Sequence, residues 1–468
     1  MHILSNRLSL FNPNATIIEE NGQLHRVQQM LTYGDVLFSD ISSGSLVLLL
    51  CQNQYESVFF YINAIERRVV PIMVDAESDA SLVNGLIKEY HPDYIFTPSS
   101  KGAQFKNYLV GHHLRNYTLL KSERQSSVTL YPELALLLST SGTTGSPKLV
   151  RLSYNNLFSN ASSISEYLGL DSSETAITSL PMNYSFGLSI INSHLFVGGS
   201  VVMTTESITQ RRFWELFKNF QVTSLSGVPY TFDVLKKFRL LSSELPSLKM
   251  LTQAGGKLSN ELIEHFAQFS INKGIQFFVM YGQTEGTARL SYLHPQFILE
   301  KLGSVGKPIP KGEFHIIDES GNLIDQPGTA GELVFIGPNV MLGYAECKAD
   351  LTLGNDNQGR LHTGDIALFD EQGFYFIVGR IKRFIKLFGN RVNLDDLESL
   401  LLDRGVQSAC TGKDNALVIY ILKPEDNAQV KDFLTKKLGI HFSVLDVRMI
   451  EEIPKNTSGK TLYSQLSD

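Results

Sequence analysis

The chain has 468 residues, 43% hydrophobic and 19% charged, which suits roughly three domain-sized cores and excludes a disordered chain. Its 41 Lys and Arg against 47 Asp and Glu leave a net charge of −6, which argues against nucleic-acid binding through a basic field. Cys51, Cys347 and Cys410 are too scattered for a disulfide framework or a CxxC metal site, so a reducing interior is expected. The opening stretch, MHILSNRLSLFNPN, lacks the apolar core and small-residue cleavage site of a signal peptide. The densest apolar runs, Leu46 to Cys51 and Leu134 to Leu138, fall far short of the ~20 residues of a spanning helix. They read as buried strands, and the expectation is a cytoplasmic protein with no membrane span.

From Ser45 the pattern alternates apolar strand and amphipathic helix. Strands are predicted at 45–52, 71–76 and 93–99, with helices at 57–68 and 81–91 between them. The rhythm resumes with strand-like runs at 200–205, 222–229, 248–256 and 276–283 and helical runs at 211–220 and 261–269. Such alternation implies parallel sheets covered by helices. After Gly303 short β-like runs, EFHIID and GELVFIG, are separated by Gly, Pro, Asn and Asp turns, suggesting a small antiparallel or barrel-like subdomain. A basic stretch, RIKRFIKLFGNR, then precedes a helical NLDDLESLLLD and a mixed α/β tail, which places a boundary near Lys382.

The most specific stretch is Thr140-Ser141-Gly142-Thr143-Thr144-Gly145-Ser146-Pro147-Lys148, between the apolar runs LALLLS and LVRLS. A helix is predicted to begin near Ser153. Backbone N–H groups freed by glycine, hydroxyl side chains and an ammonium together suit a polyphosphate. A polar hairpin turn is the plainer alternative. The run is not a GxxxxGK[ST] phosphate loop, and neither is Gly459-Lys460-Thr461, where Pro454 replaces the first glycine.

TSGTTGSPK resembles the signature loop of the AMP-forming adenylating enzymes, the superfamily of acyl-CoA synthetases, peptide-synthetase adenylation domains and beetle luciferases. Further elements follow in that family's order: Gly255-Gly256, Tyr281-Gly282-Gln283-Thr284-Glu285, GELVFIGPNVMLGY at 331–344, HTGD at 362–365, GRIKRFIKLFGNRV at 379–392 and PKNTSGK at 454–460. The resemblance implies an α/β fold. Its large N-terminal domain, 1–381, would hold doubly wound sheets plus a β-rich subdomain at about 303–378. A small mobile α+β domain, 382–468, would follow, hinged at Lys382.

It also implies a stand-alone ligase that joins a small carboxylic acid to the α-phosphate of ATP with Mg²⁺ and passes the acyl group to a thiol. Lys460 would bridge the acid and the α-phosphate, Glu285 would hold Mg²⁺, and Thr284 would donate to phosphate. Tyr281 would stack on adenine, with Gly255, Gly256 and Gly282 beside it, and Asp365 and Arg380 would grip the ribose. Gly389 would line the thiol tunnel, and Tyr184, Gly187 and Val228 would line the acyl pocket.

Two departures narrow the substrate. Tyr184 stands where many members carry a histidine, and no acidic residue occurs between Thr175 and Thr205 to pair an ammonium. A non-amino aliphatic or aromatic acid is therefore expected. The segment 405–426 is shorter than its usual counterpart, so the phosphopantetheine of a separate carrier protein is an alternative acceptor to coenzyme A. A non-catalytic ATP-binding scaffold and a luciferase-like oxygenase are the alternatives of other classes.

Overall fold

The computed structural model describes residues 9–123, 128–139, 148–241, 244–387, 390–413, 416–424, 426–438, 441–455 and 461–466. Two compact units emerge. The first comprises 9–139, 148–313 and Phe335–Leu361; the second comprises Phe314–Val334 and 362–466.

The first unit is built on two large sheets, counted among the described residues. One has eight strands, in the order Gly343–Ala345, Leu149–Ser153, Leu134–Ser139, Val70–Asp75, Leu46–Cys51, Tyr94–Pro98, Tyr117–Ser122 and Tyr108–Leu114. Its four central strands run parallel, and helices Tyr55–Glu66 and Ala80–Tyr90 link three of them, Leu46–Cys51, Val70–Asp75 and Tyr94–Pro98. Leu46–Cys51 is buried at every position, as a parallel strand covered on both faces must be. The sheet departs from the all-parallel expectation at its margins. Leu134–Ser139 and Leu149–Ser153 pair antiparallel, because the short stretch between them cannot form the long crossover that parallel pairing needs.

The other sheet has nine strands: Lys307–Pro308, Ser291–Leu293, Gln276–Tyr281, Met250–Gln253, Ser224–Gly227, Thr175–Ile177, Ser200–Val202, Thr16–Ile18 and Leu24–Arg26. It too is parallel at its centre and antiparallel at both edges. Helix Tyr154–Leu168 starts where the sequence signals it. The Ser153 hydroxyl accepts from Asn156 N at 3.1 Å, the Asn156 side chain accepts from Ser153 N at 2.8 Å, and Gly169 closes the helix at a φ of 65°.

The second unit carries a four-stranded sheet ordered Glu313–Ile317, Gly331–Ile336, Arg360–Phe369, Tyr375–Arg380. Beyond it, helices Leu394–Leu402 and Asp426–Leu438 pack on a sheet of Ser408–Lys413, Ala416–Ile421 and Leu445–Met449 around a core that includes Leu397, Leu417, Ile419 and Val430. Among the described residues no helix is long and apolar enough to cross a membrane. Cys51, Cys347 and Cys410 are free thiols.

Candidate active site

Strand Gln276–Tyr281 delivers the half-buried Tyr281 to a turn that glycine makes possible. A Cβ at Gly282 would stand 1.8 Å from the Ala288 carbonyl oxygen, so no other residue permits this approach. Thr284–Gly286 forms a 3-10 turn, after which Thr287 and Ala288 take φ values of 53° and 102°. Such conformations cost a non-glycine residue ~1–3 kcal/mol and persist only where surroundings enforce them. Asn339 does the enforcing. Its buried side-chain amide donates to the carbonyls of Gly286 at 2.7 Å and Arg289 at 2.9 Å, while its backbone carbonyl accepts from the Thr287 hydroxyl at 2.6 Å.

Thr284 and Glu285 thereby meet fixed partners. The hydroxyls of Ser185 and Thr284 lie 3.1 Å apart, and the Tyr344 hydroxyl donates to Glu285 Oε1 at 2.8 Å. Burial first, and the neighbouring Glu285 charge second, push the Tyr344 phenol upward, so it stays protonated as a donor. The same ring carries the Lys148 ammonium 3.8 Å from its centroid, and Lys148 lies 3.9 Å from the Glu346 carboxylate. Lys148 is the described end of the hydroxyl-rich run; Thr140, Ser141, Gly142, Thr143, Thr144, Gly145, Ser146 and Pro147 lie outside the described residues.

Behind Tyr344 stands Arg151, a fully buried charge in the middle of the apolar strand Leu149–Ser153. Its guanidinium donates to the Tyr344 carbonyl at 3.0 Å, to the carbonyls of Leu353 and Gly354, and to the Asp356 carboxylate. Replacing it with alanine leaves three carbonyls without this donor at ~1 kcal/mol each, so Arg151→Ala is expected to destabilise by about 3 kcal/mol. A thermal melt should fall by roughly 5 °C; an unchanged midpoint would show that these bonds are dispensable.

A second group of residues gathers around Gly255. Its φ is 85°, and a Cβ there would lie 2.6 Å from Tyr184 Oη and 3.1 Å from Val228 Cγ1, so these three side-chain positions converge. Gly256 faces Pro229 at 3.1 Å in the same sense. At Gly187 a Cβ would come 2.2 Å from the Pro181 carbonyl oxygen, so glycine there lets helix Ser185–Val197 approach the preceding backbone. Gln283 adds a buried amide nitrogen with no partner among the described residues, a donor that suits a polar ligand.

In the second unit Asp365 and Arg380 are cross-strand neighbours. Arg380 Nε lies 3.0 Å from the buried Asp365 carboxylate, and Asp365 N donates to the Thr363 hydroxyl at 3.1 Å. Lys382 lies in the 3-10 turn Ile381–Arg383, between strands Tyr375–Arg380 and Phe384–Leu387. The adjacent Arg383 donates to Asp395 at 2.8 Å and to Glu398, and stacks on Tyr463 at 3.8 Å; Tyr463 in turn donates to Glu398 at 2.8 Å. Lys455 and Thr461 pair as an antiparallel bridge. Lys460 and Gly389 themselves lie outside the described residues.

The profile of the AMP-binding enzymes matches residues 28–345, about two-thirds of the chain. The chain belongs to the AMP-binding enzyme family. It is 31% identical over 357 residues to the long-chain-fatty-acid–CoA ligase of Salmonella typhimurium, covering 72% of this chain and 62% of that enzyme. It is 29% identical over 352 residues to a 4-coumarate–CoA ligase-like protein of Arabidopsis thaliana, covering 71% and 62%. The matches thus span less than two-thirds of either relative's length. The o-succinylbenzoate CoA synthetase of Bacillus subtilis, solved with its acyl-adenylate intermediate, shares the fold at a TM-score of 0.79, with 22% identity over 97% of this chain and 95% of that one.

For this AMP-binding family member, four residues around the Glu285 turn were not apparent as such from sequence: Tyr344, Asn339, Arg151 and Arg289. Tyr344 and Asn339 lie in the motif GELVFIGPNVMLGY, whose ordered position was legible but whose hydrogen-bonding duties were not. Arg151 and Arg289 did leave a signal, since a single charge inside LVRLS or TARLSYL has no place in a buried run unless something receives it.

Proposed function

We propose that the protein is an ATP-dependent ligase that adenylates a small non-amino carboxylic acid, releases pyrophosphate and transfers the acyl group to the thiol of coenzyme A. Family membership supports the adenylating chemistry. The observation that carries the reading is Glu285, fixed by Tyr344 on a turn clamped by Asn339, with Thr284 beside it.

The first step needs no general base, because a carboxylic acid of pKa about 4–5 is ionised at neutral pH. What must be overcome is repulsion between a carboxylate and a polyanion. Glu285 offers a single hard oxygen ligand of the kind magnesium takes alongside phosphate oxygens, and bound Mg²⁺ supplies charge neutralisation. Thr284 donates to phosphate. Lys148, perched on the Tyr344 ring, contributes a second cation next to Glu285's hydroxyl partner. Tyr281 presents its ring to adenine beside Gly255, Gly256 and Gly282, and Asp365 accepts from the ribose diol with Arg380 steadying it. Lys460 supplies the ammonium at the meeting point of acid and α-phosphate. Lys382 absorbs the backbone change that precedes thiol transfer, and Gly389 lines the thiol path. Tyr184 and Val228 wall the acid, with Gly187 packing behind them.

The test is carboxylate-dependent exchange of labelled pyrophosphate into ATP across fatty, aryl and hydroxy acids with Mg²⁺. Exchange with at least one acid is expected, and none from a folded, ATP-binding protein would end the reading. Adding coenzyme A, or a carrier protein in its place, then discriminates the acceptors. The short segment 405–426 keeps the carrier in the comparison.

A further inference from the structure

Two arginine side chains are wholly buried among the described residues, and they are treated in opposite ways. Arg151 has an ion pair and three carbonyl acceptors. Arg289 is 2% exposed, yet its Nε and Nη1 are buried with no hydrogen-bond partner, and among the described residues no carboxylate pairs with it. Its surroundings are aromatic: the Phe186 ring lies under the guanidinium at 4.0 Å, the Tyr167 phenol is a neutral hydrogen-bond partner, and the Tyr184 phenol interacts with it electrostatically. Burial disfavours its charged form, and both phenols oppose that only in part.

A guanidinium cannot shed this cost by losing its proton, so a buried, half-satisfied arginine requires an acceptor from elsewhere. The main chain that carries it is held in place. Its backbone carbonyl is held by Asn339 at 2.9 Å and by Asn160 at 3.3 Å, directly after the enforced turn at Thr287 and Ala288. The neighbouring Tyr184 is the side chain that closes on Gly255 and Val228, the convergence assigned above to the acid. The two free donors therefore adjoin the wall of the acyl pocket.

We propose that Arg289 receives a second carboxylate of the acid substrate, so that the protein activates dicarboxylic acids in preference to simple fatty or aryl monoacids. The proposal rests on the ligase reading above and names its substrate class. One carboxylate is adenylated near Glu285; the other enters the aromatic surround of Arg289 and supplies both the missing acceptors and the missing counter-charge.

The experiment is a matched-pair comparison with the full chain, ATP, Mg²⁺ and coenzyme A, measuring pyrophosphate release. The pairs are hexanoate and adipate, octanoate and suberate, benzoate and terephthalate, and 4-phenylbutyrate and 4-(2-carboxyphenyl)butyrate. A site built around a buried donor discriminates strongly against a ligand that leaves it unpaired, so kcat/KM is expected to favour the diacid by about a hundredfold in at least one pair. In Arg289→Gln that ratio should collapse towards about one, with Arg289→Lys retaining part of it. If Arg289→Gln does not fold, the ratio in the unaltered protein decides alone. Equal kcat/KM across every pair, or a diacid preference that survives Arg289→Gln, overturns the proposal and leaves the ligase reading intact. Absence of pyrophosphate release with every acid overturns both.

Discussion

Glu285→Gln is expected to lower acid-dependent pyrophosphate exchange by about a thousandfold. Removing the carboxylate removes the anchor for a divalent cation, a loss on the order of 4 kcal/mol in barrier height. Glutamine keeps the size of the side chain and an oxygen able to accept from the Tyr344 hydroxyl, so the fold should be spared. The diagnostic is a magnesium titration, in which the variant should demand far more metal to reach a lower plateau. Tyr344→Phe bears on the same carboxylate indirectly and should cost about tenfold to a hundredfold with a smaller rise in magnesium requirement. Wild-type exchange in Glu285→Gln would remove this residue from the chemistry.

Lys460→Ala separates the two half-reactions. An ammonium about 4 Å from the converging charges is worth ~4 kcal/mol at an effective dielectric of 20, so adenylation is expected to fall about a thousandfold. Thioester formation from preformed acyl-adenylate has no such anion pair to bring together and should stay within a few-fold of the unaltered protein. A circular-dichroism melt on the variant should match the unaltered protein, which separates loss of chemistry from loss of fold. Equal loss in both half-reactions would contradict its assignment.

The strand and helix order of the first unit was legible because buried parallel strands such as Leu46–Cys51 are uninterrupted apolar runs and helix starts such as Ser153 carry their own capping residues. The margins of the sheets were not. Whether LALLLS and LVRLS pair antiparallel depends on the length of what joins them, which period counting does not weigh. At the site, the glycines were expected beside adenine; in the structure Gly282 closely approaches the Ala288 backbone and Gly255 the Tyr184 side chain, neither of which the sequence names. The partners that hold Glu285 came instead from residues more than fifty positions away, Asn339 and Tyr344, and no local pattern reports a contact of that separation. Arg289 is a single charge at the start of the run RLSYL, and only the fold shows that it is buried.

Asn339 touches the backbone on both sides of the left-handed pair, at Gly286 and at Arg289, through one rigid planar amide. The stretch of chain from the carboxylate at 285 to the cation at 289 is therefore braced like the jaws of a caliper. A flexible frame would accept acids of graded length by letting its ends drift. This one should instead choose sharply among methylene counts, with its setting changed only by whatever loosens that amide.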